Sequence, residues 1–208
     1  MEVIIRHAKS SKGELLPEDF SLPEACTGEP ALLRVIGYGP DGTFQFETKN
    51  VEEALKRIGE KEVLWVQVIG PNNLGQIQEF EKRLNIHPLA LNEIARAWGR
   101  SKMEDYGEQI LVVGKTTILD VEKDRLHMEQ VSMLAGINYV VTFQETDFPL
   151  FAVEEKRVLD PQRVIRRKGP GYLVYTMLDT MVDRSLATLD TIDESIIEME
   201  DEVLVHKR

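Results

Sequence analysis

The longest regular pattern of apolar and polar residues lies at the C-terminal end of the chain. From Tyr172 to Arg208 there is no Gly and no Pro, and the apolar residues recur at steps that alternate between three and four, interrupted only at Ser185. This spacing predicts one continuous α-helix that carries a heptad seam. The seam consists of Tyr175, Leu178, Val182, Leu189, Ile192, Ile196, Met199 and Val203.

Such a helix is too long for one compact domain of this size. It would extend roughly 55 Å, whereas a globule of this length has a radius of gyration of about 17 Å. The helix must therefore leave its own domain, pack on a neighbouring helix or subunit, or continue in a longer polypeptide. We expect the 208-residue sequence to be a fragment of a longer protein.

Upstream, short apolar runs alternate with helical patterns. Residues 63–69 form a nearly continuous apolar run, as expected for a central strand covered on both faces. Asn50 is placed to cap a helix over residues 51–58, and Pro88 suits the first turn of another helix. The other predicted elements of this half are strands at residues 3–5, 32–36 and 43–47, a loop at 8–30 and a helix at 74–84.

Beyond Arg100 the pattern changes to strands. Runs at residues 102–106, 109–119, 126–135 and 139–145 predict four strands, and a helix at 148–159 and a basic cluster at 163–168 follow. Early interleaving of helices and strands, followed by consecutive strands, predicts an α/β (α+β) fold in which helices cover both sides of a mixed sheet. We divide the chain into this domain, residues 1–168, and the long helix, residues 169–208.

Composition narrows the classes of function. The net charge of −11 argues against binding to nucleic acid or to anionic membrane surfaces, because both need basic residues. It is compatible with cations as partners, and it would equally serve to keep the protein soluble. The single cysteine, Cys26, excludes an internal disulfide within these residues, and from the sequence given we expect neither a secretory signal nor a membrane-spanning helix in this part of the protein.

The motifs of common enzymes are absent, so we predict that the chain is not an enzyme. The glycines at 37, 39 and 42 match a dinucleotide fingerprint in spacing only, because Pro40-Asp41-Gly42 leads into a strand and predicts a hairpin. His87 and His127 are isolated histidines, which more often make structural hydrogen bonds than perform catalysis.

Carboxylates at helical spacing are the candidate chemistry. Asp179 and Asp183 are four residues apart, as are Asp190 and Glu194, so each pair lies on one helix face. Oxygen-rich faces suit hard cations such as Mg²⁺ or Ca²⁺. The alternative is an acidic face that is simply solvated.

Five blocks of sequence carry a family resemblance. They are His87-Pro-Leu-Ala-Leu-Asn-Glu-Ile94, Arg100-Ser-Lys102-Met-Glu-Asp-Tyr106, Glu129-Gln-Val-Ser132, Thr142-Phe-Gln-Glu145 and Gly171-Tyr-Leu-Val-Tyr-Thr-Met-Leu-Asp179-Thr-Met-Val-Asp183. In order and spacing they resemble the cytoplasmic domain of CorA-type magnesium and cobalt transporters, over about residues 65–204.

The resemblance implies an αβα sandwich with a mixed central sheet and a long C-terminal helix. It further implies a homopentamer arranged as a funnel at the cytoplasmic side of the cell inner membrane. In the family each subunit continues into a stalk helix and two membrane helices, the first ending in Gly-Met-Asn, and none of these is present here. Regulatory Mg²⁺, or Co²⁺ in its place, would be held between neighbouring domains and would keep the channel closed.

The resemblance also assigns residues to this metal site. Glu93 falls where the family usually has the Asp that is its principal interfacial ligand, Asn92 replaces the preceding Glu, and Asp179 falls near the same interface. Asp183, Asp190 and Glu194 would extend the acidic helix face. Because the partner Asp of the family lies beyond Arg208, we expect the fragment to be soluble, to bind metal weakly, and to be a monomer or a weak dimer through its exposed seam.

Two other functions remain open at this point. A zinc-transporting branch of the same superfamily shares the architecture implied by the resemblance. The alternative that does not involve transport is a standalone soluble protein, which would act as a metal sensor or as a scaffold through its long helix.

Overall fold

The computed structural model describes residues 28–70, 73–95, 100–120 and 125–205. The strand predicted at residues 3–5 and most of the predicted N-terminal loop lie outside these ranges. The described strands are β1 (Leu32–Gly39), β2 (Gly42–Thr48), β3 (Val63–Ile69), β4 (Lys102–Asp105), β5 (Ile110–Asp120), β6 (Arg125–Ala135) and β7 (Tyr139–Gln144). The described helices are α1 (Val51–Leu55), α2 (Leu74–Leu84), α3 (Pro88–Ala95), α4 (Ala152–Leu159) and α5 (Pro170–Val205), with a 3-10 turn at Val164–Arg167.

The strands form one mixed sheet in the order β2-β1-β3-β7-β6-β5-β4. Strands β3 and β7 pair in parallel, and the other five neighbouring pairs are antiparallel. Every residue of β3 and of β7 is buried, which confirms the prediction of a central strand at residues 63–69. The predicted fold class, a mixed sheet with helices and a long C-terminal helix, is also confirmed.

Alternate residues of β3 separate two hydrophobic cores. Leu64 and Val66 point into a core that they share with residues of α1, α2 and α3. Val63 and Trp65 point into a second core with residues of α4, the 3-10 turn and the start of α5. Because successive side chains of a strand point to opposite faces, α3 and α5 lie on opposite sides of the sheet.

Local signals place most of the element boundaries. The Asn50 side chain accepts a hydrogen bond from the Glu53 backbone N–H at 3.0 Å, which confirms the predicted cap of α1. Gly42 closes the predicted β1–β2 hairpin at a φ of 135°, a conformation that favours glycine. Helix α4 begins at Ala152 rather than at the predicted residue 148, because a residue before proline, here Phe148 before Pro149, avoids the helical region.

The fold buries one residue of the predicted basic cluster at 163–168 and leaves the other basic residues exposed. Arg166 is buried, and its Nε donates a hydrogen bond to the Gly39 carbonyl at 2.8 Å, while Arg163 and Arg167 are exposed. Arg166 therefore closes the β1–β2 end of the sheet against the 3-10 turn.

Helix α5 is anchored by its first turns. Leu173, Val174, Met177 and Met181 are buried against the sheet, and β5 is approached so closely that a Cβ at Gly114 would lie 2.7 Å from the Met181 methyl group. Most of the heptad seam points elsewhere, and five of its residues are exposed: Tyr175, Val182, Leu189, Ile196 and Met199. The seam residue Leu178 is the exception, because it packs against the second core. Among the described helices, none is long and apolar enough to cross a membrane.

The division of α5 into an anchored and an exposed half can be tested with two matched leucine variants. Leu173 is 0% exposed and Leu189 is 60% exposed on the same helix. We expect Leu173→Ala to lower the free energy of unfolding by about 2–5 kcal/mol, because it leaves a cavity in the core. Leu189→Ala should change it by less than about 0.5 kcal/mol. Urea unfolding at low protein concentration measures both, and equal losses would contradict this account of the helix.

Candidate metal-binding site

Helix α3 carries the two adjacent residues to which the resemblance assigns metal binding. Ala90, Leu91 and Ile94 are buried against the sheet, as the helical period requires. Asn92 and Glu93 flank this apolar stripe and are half-buried. The backbone oxygen of Glu93 accepts a hydrogen bond from Gln130 Nε2 of β6 at 3.4 Å, which ties this turn of the helix to the sheet.

Strand β4, at the edge of the sheet, faces this part of α3. Lys102 and Glu104 are half-buried, whereas Met103 and Asp105 are exposed, because side chains alternate along a strand. Tyr106 continues the same face just beyond the strand, and it packs against the core shared with α3. An ammonium, a carboxylate and a phenol thus follow one another beside the helix.

Lys102 bridges two carboxylates. Its Nζ lies 3.1 Å from Glu93 Oε1 and 2.9 Å from Glu104 Oε1. The Glu93 side chain is 15% exposed and that of Lys102 is 28% exposed, so the pair is shielded from solvent more than a surface ion pair. The Tyr106 hydroxyl donates a hydrogen bond to the other oxygen of Glu104. One positive charge is therefore shared between an α3 carboxylate and a β4 carboxylate.

The electrostatics of this cluster keep Lys102 and Glu104 charged. Burial acts to lower the pKa of Lys102, but the hydrogen bonds and charges of Glu104 and Glu93 outweigh it and raise that pKa above its ordinary value. The hydrogen bonds from Tyr106 and Lys102 lower the pKa of Glu104. At neutral pH both groups of this pair are ionised.

His87 makes structural contacts at the start of α3. Its ring stacks on Tyr106 with centroids 4.9 Å apart, and its Nδ1 accepts a hydrogen bond from the Leu89 backbone N–H at 3.2 Å. This is the structural hydrogen bond that an isolated histidine was expected to make. The side chain of His127 lies outside the described part of the chain.

The other predicted ligands are not brought to Glu93 within the chain. Asp179 lies on α5, across the sheet from α3, and it is exposed, as are Asp183, Asp190 and Glu194. Within the described ranges no three His, Cys, Asp or Glu side chains are grouped so that they could hold a metal ion. Glu93 and Asn92 provide oxygen donors that suit a hard cation.

The residues that surround Glu93 were not singled out from the sequence. Lys102, Glu104 and Tyr106 all lie in one block of the family resemblance, residues 100–106, and the resemblance gives none of them a role at the metal site. The alternation at 102, 104 and 106 within a predicted strand would have placed the three side chains on one face. Nothing in the sequence indicated that this face lies against α3.

Comparison with known proteins gives matches of sequence and of fold. A sequence model for the family described as CorA-like Mg²⁺ transporter protein matches residues 60–208. The cobalt/magnesium transport protein CorA of Thermotoga maritima is 30% identical over 172 residues, which cover 83% of this chain and 49% of that protein. The chain thus spans about half the length of this curated relative.

Solved structures share the fold at low sequence identity. The soluble domain of CorA from Methanocaldococcus jannaschii matches with a TM-score of 0.62 at 15% identity, covering 83% of this chain and 64% of that one. The cytoplasmic domain of ZntB from Vibrio parahaemolyticus matches with a TM-score of 0.57 at 9% identity. This match covers 81% of this chain and 64% of that one. At these identities the likeness concerns the fold.

A double-mutant cycle tests the contact between α3 and β4. Glu93→Gln, Lys102→Met and the double variant should show a coupling free energy of about 1 kcal/mol, because the pair is partly buried. The Arg57–Glu60 pair, which is joined at 2.7 Å but is more exposed, serves as the control and should couple less strongly. Urea unfolding gives each value, and zero coupling at Glu93 and Lys102 would rule out the contact.

Proposed function

The chain belongs to the family of CorA-like Mg²⁺ transporters, and from this premise we propose that it is the cytoplasmic regulatory domain of a homopentameric channel for Mg²⁺ and Co²⁺. In this proposal Mg²⁺ bound between neighbouring domains holds the channel closed. The domain lies at the cytoplasmic side of the cell inner membrane, and membrane helices encoded beyond Arg208 form the pore.

One observation supports an intersubunit metal site above all. Glu93 presents a half-buried carboxylate on α3, fixed by the helix stripe and by its contact with Lys102. The described residues of the chain offer no group of three acidic, His or Cys side chains around an ion. A cation at Glu93 would complete its coordination with water or with ligands from another chain, and Asn92 and Asp179 are the candidates that each copy brings.

The donor atoms favour magnesium over zinc. Glu93 and Asn92 supply oxygen, whereas zinc sites in proteins are built mainly from Cys and His. The nearby His87 uses its Nδ1 to accept a backbone hydrogen bond and stacks on Tyr106. The zinc-transporting alternative therefore finds no ligand set among the described residues near Glu93.

The charge of the chain supplies a physical mechanism for opening. Each copy carries a formal net charge of −11, so copies in a ring repel one another. Divalent cations between them offset this repulsion and stabilise the closed ring. When the cytosolic Mg²⁺ concentration falls, the ions leave and the repulsion favours the open form. This mechanism requires only that the closed form binds the ion more tightly than the open form does.

The role of Glu93 can be tested on the 208-residue chain itself. We use Mn²⁺ as a paramagnetic oxygen-binding probe, and we expect binding weaker than about 10⁻⁴ M, with NMR line broadening centred on α3. Glu93→Gln should abolish the broadening there. Glu52→Gln is the matched control, because Glu52 is also paired with a cation, Arg83 at 2.7 Å, but on an exposed surface. Broadening at α3 that survives Glu93→Gln would disprove the assignment.

Sedimentation tests how the site is completed. We expect the 208-residue chain to be a monomer or a weak dimer, with or without Mg²⁺, since the proposed pentamer depends on segments beyond Arg208. A stable pentamer of this chain that binds Mg²⁺ tightly with one ion per copy would contradict the expectation that assembly and tight binding depend on segments beyond Arg208.

Reading the gene beyond the Arg208 codon tests the transport function. We expect two apolar stretches of about 20 residues each, the first ending in Gly-Met-Asn. A stop codon directly after Arg208 would instead favour a standalone protein.

A further inference from the structure

The Lys102 ammonium occupies a position that a bound cation would need. It contacts Glu93, the carboxylate proposed as the metal ligand, at 3.1 Å. A carboxylate oxygen engaged with an ammonium must release it, or share it, before it can coordinate a divalent ion at full strength. The structure thus contains a cation that belongs to the protein at the place where an external cation is proposed to bind.

Three features hold this ammonium in place. Glu104 binds it from the other side at 2.9 Å, and the Tyr106 hydroxyl fixes Glu104 through a hydrogen bond. The strand alternation points Lys102 and Glu104 towards α3 together. Because the ammonium is tethered to the same chain, its effective concentration at Glu93 is high and independent of the composition of the solution.

The arrangement also allows the Lys102 ammonium to move away from Glu93. Lys102 is 28% exposed, so its flexible side chain has access to water. If it leaves Glu93 it retains the contact with Glu104, so the exchange does not leave an unpaired charge on the lysine. A divalent ion carries twice the charge of the ammonium and so attracts Glu93 more strongly at equal distance.

We propose that Lys102 is an internal competitor for the divalent cation at Glu93 and thereby sets the concentration of free Mg²⁺ at which the site fills. This inference rests on the proposed role of Glu93 as a ligand and adds the residue that adjusts its affinity. Lys102 itself binds no metal. It raises the Mg²⁺ concentration needed for half-occupancy, because each binding event must displace it.

The test compares variants of the 208-residue chain by Mn²⁺ titration, read as paramagnetic line broadening at α3, with Mg²⁺ displacement as a second measurement. Lys102→Met should lower the apparent Kd for Mn²⁺ by about tenfold, since it removes one positive charge from contact with the ligand. Lys102→Arg keeps the charge and should retain the original affinity. Lys102→Gln is measured as well, so that a folding defect of one variant does not decide the result.

Lys49→Met is the matched control. Its ammonium pairs with Glu29 at 3.5 Å on an exposed surface, so the substitution makes the same change in net charge without a contact to Glu93. It should leave the Mn²⁺ affinity at α3 within about twofold of the original. An increase equal to that of Lys102→Met would show a general charge effect and would overturn the inference.

The double variant separates this inference from the proposed function. Glu93→Gln combined with Lys102→Met should abolish the tenfold gain, which places the competition at Glu93. If Glu93→Gln weakens binding but Lys102→Met does not strengthen it, the competitor role is wrong and the ligand role stands. If Glu93→Gln has no effect in either background, the ligand role itself is wrong and the inference fails with it.

Discussion

Burial of β3 on both faces is the constraint on which the rest of this structure depends. Its odd and even positions enter different cores, so a helical layer is required on each side of the sheet. The layer of α1 to α3 places Glu93 on one side, and the layer of α4 and α5 places Asp179 on the other. The separation of the two predicted ligands therefore follows from the architecture, and a site that uses both must form between copies.

Much of this architecture could be predicted, because its signals are local. Apolar runs, a capping asparagine at 50 and a proline at 88 act within a few residues of the elements that they define. The order of the strands could not be predicted, since the parallel pairing of β3 with β7 joins residues far apart in the chain. The role of Arg166 was missed for the same reason, because its partner carbonyl at Gly39 belongs to a distant hairpin.

The candidate site was predictable only in part. Glu93 was identified through a resemblance, and its position on α3 agrees with the helical period. Its bond to Lys102 depends on the packing of an edge strand against a helix, which no local pattern encodes. The acidic pairs on α5 differ from Glu93, because their local spacing is easy to read in the sequence but the fold does not group them with other ligands in the described chain. Regular spacing placed Asp179 and Asp183 on a helix, but the fold leaves both of them exposed without further acidic, His or Cys side chains grouped around them in the described chain.

The anchoring of α5 over its first half gives the helix the mechanics of a lever. The helix is held to the sheet as far as Thr188, whose hydroxyl accepts a hydrogen bond from Thr117 of β5 at 2.8 Å, and the stretch from Leu189 to Val205 extends roughly 25 Å further. A tilt of about 5° at the root would then move the far end by about 2 Å, as much as the length of a metal–oxygen bond. Small changes in packing around Met181 and Gly114 would thus be magnified with distance along the helix. The root of α5 is consequently where the domain must be stiff.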